Sequence, residues 1–422
     1  MYVTLRHAPG EQVDDPAARR GARGVSRVVV LLGLTSLLTD VSSEMVAAVL
    51  PLYLTVSLGL SPLQYGFVDG LYNGVTVLVR LVGGFTADRS RRPKLVATIG
   101  YGISAVSKFA LLPVSSLAAV SAVVATDRVG KGLRTAPRDA LIAGASRPEM
   151  LATAFGVHRA LDTVGAMCGP LLAFGLLAVV VDGFDVVIAV SGCIAMVGVA
   201  LLALLVPDHR PPRAPTGHEP SLRRVLAVSG GRQMRPLLAA VALLGVVTVS
   251  DGFLYLVIQE RHDLAVAFFP LLFVGTSAVY LTLAVPMGRL ADRLGRGKVL
   301  VGGHVALLLA YVAALGTLPG LAGVVVCLVM LGTYYAATDG VLAAAGAALL
   351  PTQVRGSGLA VVQTVTAGSR LVSSLLFGAL WAAYGRNAAL AVFAVALALA
   401  LPPAARLLGS LNHPRPATGQ PR

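Results

Sequence analysis

The acids and bases that could do chemistry in this chain sit inside long apolar runs, spaced so that they share helix faces. Asp40 and Glu44 are four residues apart, as are His158 and Asp162 with Arg159 between them, so each pair lies on one side of a helix. Asp69, Asn73, Thr76 and Arg80 form one polar stripe at helical spacing, and Asp127, Lys131, Arg134 and Arg138 form another. Asp251, Asp339 and Arg370 stand singly in apolar stretches. A charge at bilayer depth costs roughly 2.5–3.5 kcal/mol on insertion scales, so such groups should face a cavity or a partner. Burial disfavours a carboxylate's charge and a nearby arginine favours it, so a group that moves between these settings can load and release a proton. Arginines such as Arg80, Arg134 and Arg370 could also hold an anion, or simply neutralise acids across helices with no ligand. A closed bundle gains nothing from so many buried ions, which favours a solute-binding cavity for the set as a whole. Glu44 has no cation one turn away in sequence and is the first choice for a proton site. Asp40, His158 and Asp162 are the other candidates, with Asp162 expected to be held ionised by Arg159.

Catalysis and metal binding find no support in these patterns. His7, His209, His218, His262, His304 and His413 are scattered, and no acid or cysteine cluster accompanies them. No enzyme activity, metal or cofactor is therefore expected beyond a proton or other ion gradient as driving force. Cys168, Cys193 and Cys327 all fall in apolar stretches, which excludes a disulfide framework. Gly130-Lys131-Gly132 lacks the spaced glycines of a phosphate loop.

The elements that must position these residues are membrane spans. The 422 residues are 56% hydrophobic and only 13% charged, about half the charge usual in soluble domains. Apolar runs near the ~20 residues that cross a bilayer recur along the chain. Twelve spans are expected, six in 28–206 and six in 236–408. A polar tail (1–27), a Pro- and Arg-rich linker (207–235) and a second tail (409–422) complete the chain. The fourth span is expected to end near 136, where Pro137 should kink or stop it. The seventh is expected to run unbroken over 236–260. The net charge of +14 invites a nucleic-acid reading, but the cations gather in alternate connections, including the first tail, 89–94, 128–147, the linker and 289–298. That alternation is the positive-inside pattern and expects both termini in the cytoplasm, with the lipid bilayer and not nucleic acid as partner.

Two loops repeat 204 positions apart (288 − 84). Gly84-Phe-Thr-Ala-Asp88-Arg89-Ser-Arg91-Arg92-Pro-Lys94 is echoed by Gly288-Arg-Leu-Ala-Asp292-Arg293-Leu-Gly295-Arg296-Gly-Lys298. The same offset lays Gly169-Pro170-Leu171-Leu172 on Ser373-Ser374-Leu375-Leu376. A basic loop with one acid, repeated between membrane-length segments, marks two homologous halves. It resembles the loop after the second helix of each half in the major facilitator superfamily, and the likeness extends over nearly the whole chain. Thr39-Asp40-Val-Ser-Ser-Glu44-Met45, the string Asp127-Arg-Val-Gly-Lys-Gly-Leu-Arg-Thr-Ala-Pro-Arg-Asp139 and His158-Arg159-Ala-Leu-Asp162 resemble a bacterial branch of that superfamily.

The resemblance implies an all-α polytopic fold of two pseudo-symmetric six-helix halves. The first, second, fourth and fifth spans of each half would line a cavity and the others face lipid, which sets Lys108 of the third span aside. It also implies that Asp88 and Asp292 pair with the opposite half to hold the cytoplasmic side closed. Gly295 meets the glycine that the loop expects, whereas Arg91 replaces it in the first copy. Gly165-Ala-Met-Cys-Gly169-Pro170 is similar to the Gly-Pro motif of proton-coupled exporters, without the further glycines after the proline. The expected function is secondary transport of a small organic solute by a monomer in the bacterial plasma membrane, by proton-coupled efflux. The alternatives are proton-coupled import of an anionic metabolite and a non-transporting receptor on the same fold.

Overall fold

The structure is a computed structural model describing residues 26–90, 92–146, 150–208, 231, 233–318, 320–350 and 355–409. Within these, the side chains of 76–78, 80–90, 152 and 355–357 are not described. Thirteen α-helices make up the described residues: α1 Arg27–Leu52, α2 Pro62–Ser90, α3 Pro93–Ala110, α4 Leu117–Gly144, α5 Leu151–Val179 and α6 Phe184–Leu205 in the first half. The second half has α7 Arg235–Val246, α8 Asp251–His262, α9 Phe269–Leu294, α10 Arg296–Val312, α11 Gly320–Leu349, α12 Arg355–Tyr384 and α13 Arg386–Leu408. Helices α7 and α8 together make one crossing, so the described residues form twelve spans. Nine of these are long and apolar enough to cross a membrane by their described residues alone. The other three are α2, α3 and α4, the last carrying Asp127, Arg128, Lys131, Arg134, Arg138 and Asp139.

Local chemistry sets the helix ends. Ser26 and Ser116 cap α1 and α4 by accepting from the backbone N–H groups of Val28 and Ala119, and proline stands in the first turns of α3, α7 and α9. Gly295 joins α9 to α10 at φ 100°, a conformation that only glycine adopts without strain. That is the position at which the repeat expects it.

The halves repeat their packing. In the first, α1 packs on α5 and α6, α3 on α4 and α6, and α2 on α4. In the second, the crossing that begins with α7 packs on α12 and α13, α10 on α11 and α13, and α9 on α11. The halves meet through α2 against α12 and α5 against α9, again related by the repeat. Glycine allows the closest approach. A Cβ on Gly66 would stand 2.3 Å from the carbonyl oxygen of Ser374, and one on Gly378 2.5 Å from that of Pro62. These contacts lie at the end of the bundle opposite the termini, the far end. Aromatic packing reinforces it: Tyr65 of α2 meets Phe253 of α8 edge-on at 4.6 Å, and Phe253 meets Phe377 of α12 at 4.9 Å.

Three elements differ from the sequence expectation. Helix α4 runs through Pro137 to Gly144; proline inside a span is tolerated where packing against neighbouring helices holds it. Asp127 consequently sits seventeen residues from the end of the helix (144 − 127), well inside the span. Helix α2 continues to Ser90, so Gly84, Asp88 and Arg89 belong to its last turns and not to a loop. The seventh crossing breaks at 247–250. Tyr311 of α10 bridges the break, its hydroxyl accepting from the Val249 N–H at 2.7 Å and donating to the Val247 carbonyl at 3.2 Å. Ser373 of α12 donates to the Thr248 carbonyl at 2.6 Å. A buried backbone break needs such partners.

Candidate functional site

Between the halves lies a cavity of about 140 Å³, walled by α1, α2, α7–α8, α9, α11 and α12. Its charged side chains are Asp69, Asp251 and Arg370, with Asn73 and the hydroxyls of Tyr65, Tyr72 and Tyr335 as further polar groups; Leu50, Leu54, Val68 and Phe273 supply apolar surface. The repeat is visible in the lining. Ala47 and Asp251 are one equivalent pair (251 − 47 = 204), Asp69 and Phe273 another (273 − 69 = 204), and all four face the cavity. Each half thus contributes one acid, at inequivalent positions.

The acids are held by hydroxyl groups. Ser374 of α12 donates to Asp69 Oδ2 at 2.6 Å, a bond that crosses between the halves. Tyr335 of α11 donates to Asp251 Oδ1 at 2.5 Å. Asp251 opens α8, where the span's break places it at a helix N-terminus that favours a negative charge. Arg370 lies 5.9 Å from the Tyr335 ring centroid and forms no ion pair among the described residues. It also lines a second cavity, of about 70 Å³, inside the second half with His304, Thr338 and Asp339.

The first half has its own buried network. Asp127 receives Lys108 Nζ at 3.3 Å, Arg128 Nε at 2.9 Å and the Ser104 hydroxyl at 2.5 Å. Arg128 in turn covers the Tyr72 ring at 3.7 Å. Nearer the termini, Arg134 pairs with Asp40 at 3.6 Å over the Tyr101 ring. Asp162 meets His158 at 3.5 Å and Arg138 at 4.0 Å, and Ser36 joins His158 to Tyr101.

Set against the sequence, these contacts bring together Asp69, Asp251 and Arg370, which share no segment. They leave Asp339 in the neighbouring cavity. The cation beside Asp162 is Arg138 of α4 and not Arg159, whose side chain is exposed; spacing along one helix said nothing about the helix across from it. Lys108, set aside as lipid-facing, is buried against Asp127. Its signal was an unpaired lysine on one helix and an acid on the next. Arg134 is committed to Asp40, so it does not stand free to hold a solute anion. Glu44 forms no ion pair among the described residues. It packs where Gly169 lets α5 close on α1, since a Cβ there would come within 2.6 Å of the Val41 carbonyl and 2.8 Å of the Glu44 Cβ. Gly165 does the same against Leu37, at 2.6 Å from its carbonyl. The glycines before Pro170 are therefore the seam between α1 and α5.

At the terminal end, Asp292 pairs with Arg296 of its own half at 3.9 Å and is 74% exposed, where the resemblance had it reaching the opposite half. Arg296 also donates to the Ala344 carbonyl at 3.1 Å, Arg293 is exposed, and Gly288 has open space around it. Arg92 precedes the first turn of α3. The side chains of Arg80, Asp88 and Arg89, all of Arg91 and most of the 207–235 linker lie outside the described residues.

Known proteins are similar to this chain in sequence or in fold. The chain is 29% identical over 377 residues to an uncharacterised MFS-type transporter of Methanocaldococcus jannaschii, covering 85% of this chain and 89% of that one. It is 32% identical over 286 residues to an uncharacterised protein of Mycobacterium tuberculosis, covering 66% and 68%. Among solved structures, a variant of the nucleoside transporter NupG superposes with a TM-score of 0.78 at 16% identity, covering 90% of this chain and all (100%) of that one. A bacterial homologue of the human lysosomal transporter Spinster, solved inward-facing and unoccupied, gives 0.71 at 15% identity, covering 92% and 98%. The sequence profile of the Major Facilitator Superfamily matches residues 32–269. With twelve spans among the described residues, in two repeated halves around a central cavity, the chain is a multi-pass membrane transporter and belongs to the Major Facilitator Superfamily.

Proposed function

We propose that this protein exports a small organic solute against proton entry, by alternating access, as a monomer in a bacterial plasma membrane with both termini cytoplasmic. The observation that carries the reading is the cavity between the halves, where Asp69 and Asp251 come from opposite halves and Asp69 is bonded across the interface to Ser374. A solute there touches both moving bodies, which a carrier needs if occupancy is to drive their rearrangement. The far end is closed by packed glycines and aromatics, so the cavity belongs to a state entered from the terminal end. Export is favoured over anion import because Arg134 is spent on Asp40. That leaves Arg370 as the one described arginine facing the cavity, opposite two carboxylates.

The proton is assigned to Glu44. It sits beside the α1–α5 seam, one helical turn from Ala47 in the cavity wall, with Lys131 and Arg128 of α4, Lys108 of α3 and Asp40 nearby but no ion pair among the described residues. A group so placed can change its hydration as the seam shifts. In proteoliposomes, Glu44→Gln is expected to abolish uptake driven by a pH gradient while preserving downhill exchange. Full pH-driven transport by that variant removes Glu44 from the coupling role.

A further inference from the structure

The charge balance and lining of the central cavity narrow the class of solute. Two carboxylates face one guanidinium, and the hydroxyls of Ser374 and Tyr335 donate to them, which satisfies an oxygen without cancelling its charge. The N-terminus of α8 adds about half a positive charge at Asp251. With both acids ionised, the state that a bound cation favours, the lining carries a negative surplus of about half a charge. Around it stand Tyr65, Tyr72, Phe273 and Tyr335, rings that attract a cation over their faces. One face of Tyr72 is already taken by Arg128 at 3.7 Å and is not open to a solute. Arg370 and the Asn73 amide supply donors in the same cavity.

Resting on the reading of this cavity as the substrate site, we infer that the transporter takes a compact organic cation that also carries a hydrogen-bond acceptor. Its cationic nitrogen sits between Asp69 and Asp251, and its acceptor meets Arg370. An anion would face two carboxylates with one arginine to offset them. A neutral solute would leave the negative surplus unmatched in an apolar, poorly hydrated space.

The placement of the two acids strengthens the assignment. Asp69 is on α2 and Asp251 on α8, so a cation seated between them ties the first half to the second. Asp69 already bonds Ser374 at 2.6 Å, so the same carboxylate that receives the cation also belongs to the far-end closure.

The test is equilibrium binding, which needs no proton coupling, so its failure is separable from failure of the Glu44 experiment. Purified protein in detergent is titrated, by thermal shift and by calorimetry, with small hydroxylated or ether-bearing amines and guanidines. Each is matched with its carbon isostere, in which a tert-butyl or amide group replaces the cationic one, and with the corresponding carboxylate. Stabilisation confined to cationic members is expected, weakened about tenfold or more by Asp69→Asn and by Asp251→Asn. Leu205→Ala, on the exposed end of α6, serves as the control with unchanged binding. Equal binding of the carbon isosteres, preference for the carboxylates, or no response to any cation overturns the inference. If both acid variants misfold, Tyr335→Phe supplies the readout: it removes the hydroxyl donor from Asp251 and is expected to alter cation affinity while leaving the carbon isosteres without effect. No change in cation affinity in that variant also overturns the assignment.

Discussion

The cluster around Asp127 makes an asymmetric prediction. Lys108 and Arg128 both lean on this one carboxylate, with side chains 5% and 6% exposed against 14% for Asp127. The three groups sum to one positive charge. Asp127→Asn raises that to two cations buried with no acid between them. Lys108→Met lowers it to zero and leaves Asp127 with Arg128 and with Ser104 at 2.5 Å. Stripping a buried charge of its partner costs about 3–5 kcal/mol, whereas replacing one by a well-packed apolar chain is often nearly neutral. Asp127→Asn should therefore lower the melting temperature by roughly 6–20 °C, taking the 2–4 °C per kcal/mol of a domain the size of one half. Lys108→Met should lower it by only a few degrees, and adding it to Asp127→Asn should restore part of the loss. The assay is melting of detergent-purified protein followed by size-exclusion fluorescence, with all three variants in one buffer. Equal damage by both single substitutions, or a double variant no better than Asp127→Asn, refutes the reasoning that the acid is the shared keystone.

Other expectations follow from single contacts. Gly169→Ala drives a methyl into the Val41 carbonyl and the Glu44 Cβ and should cost about 1–3 kcal/mol, whereas Gly102→Ala, with nothing within 4 Å, should leave the melting curve in place. Gly295→Ala must adopt φ 100° and should cost about 1–3 kcal/mol, read in the same melting assay. Asp292→Asn alters an exposed pair within one half and far from the cavity, so equilibrium ligand binding should stay the same; a large loss of affinity would contradict that placement.

Much of the fold was legible because it rests on signals that survive without tertiary contacts. Apolar length gave the spans, and the 204-residue echo gave the two halves. The small residues before Pro170 were legible as a motif, and they form the α1–α5 seam. What the sequence withheld were properties of neighbours. Nothing local says that Tyr311, sixty-two residues beyond Val249, will satisfy a broken span, so the seventh crossing read as continuous. Pro137 read as a stop because helix propensity weighs an isolated backbone, while α4 is held by α2 and α3 on its flanks. The partners of Asp162 and Lys108 were missed for the same reason: each came from a helix packed alongside. Asp69, Asp251 and Arg370 were each singled out as candidates, but only the packing of the halves made them one site.

The far-end closure has a further consequence. Its contacts are backbone carbonyls against glycine, ring edges against ring edges, and a serine hydroxyl on Asp69. No ion pair contributes to those contacts. Such a closure resists by fit, as a ground-glass joint does, so dissolved salt has little to screen in it. The rate at which the far end parts should follow temperature and bilayer tension far more than ionic strength, and Asp69 is the one point in these contacts at which a charge entering the cavity can loosen the joint from within.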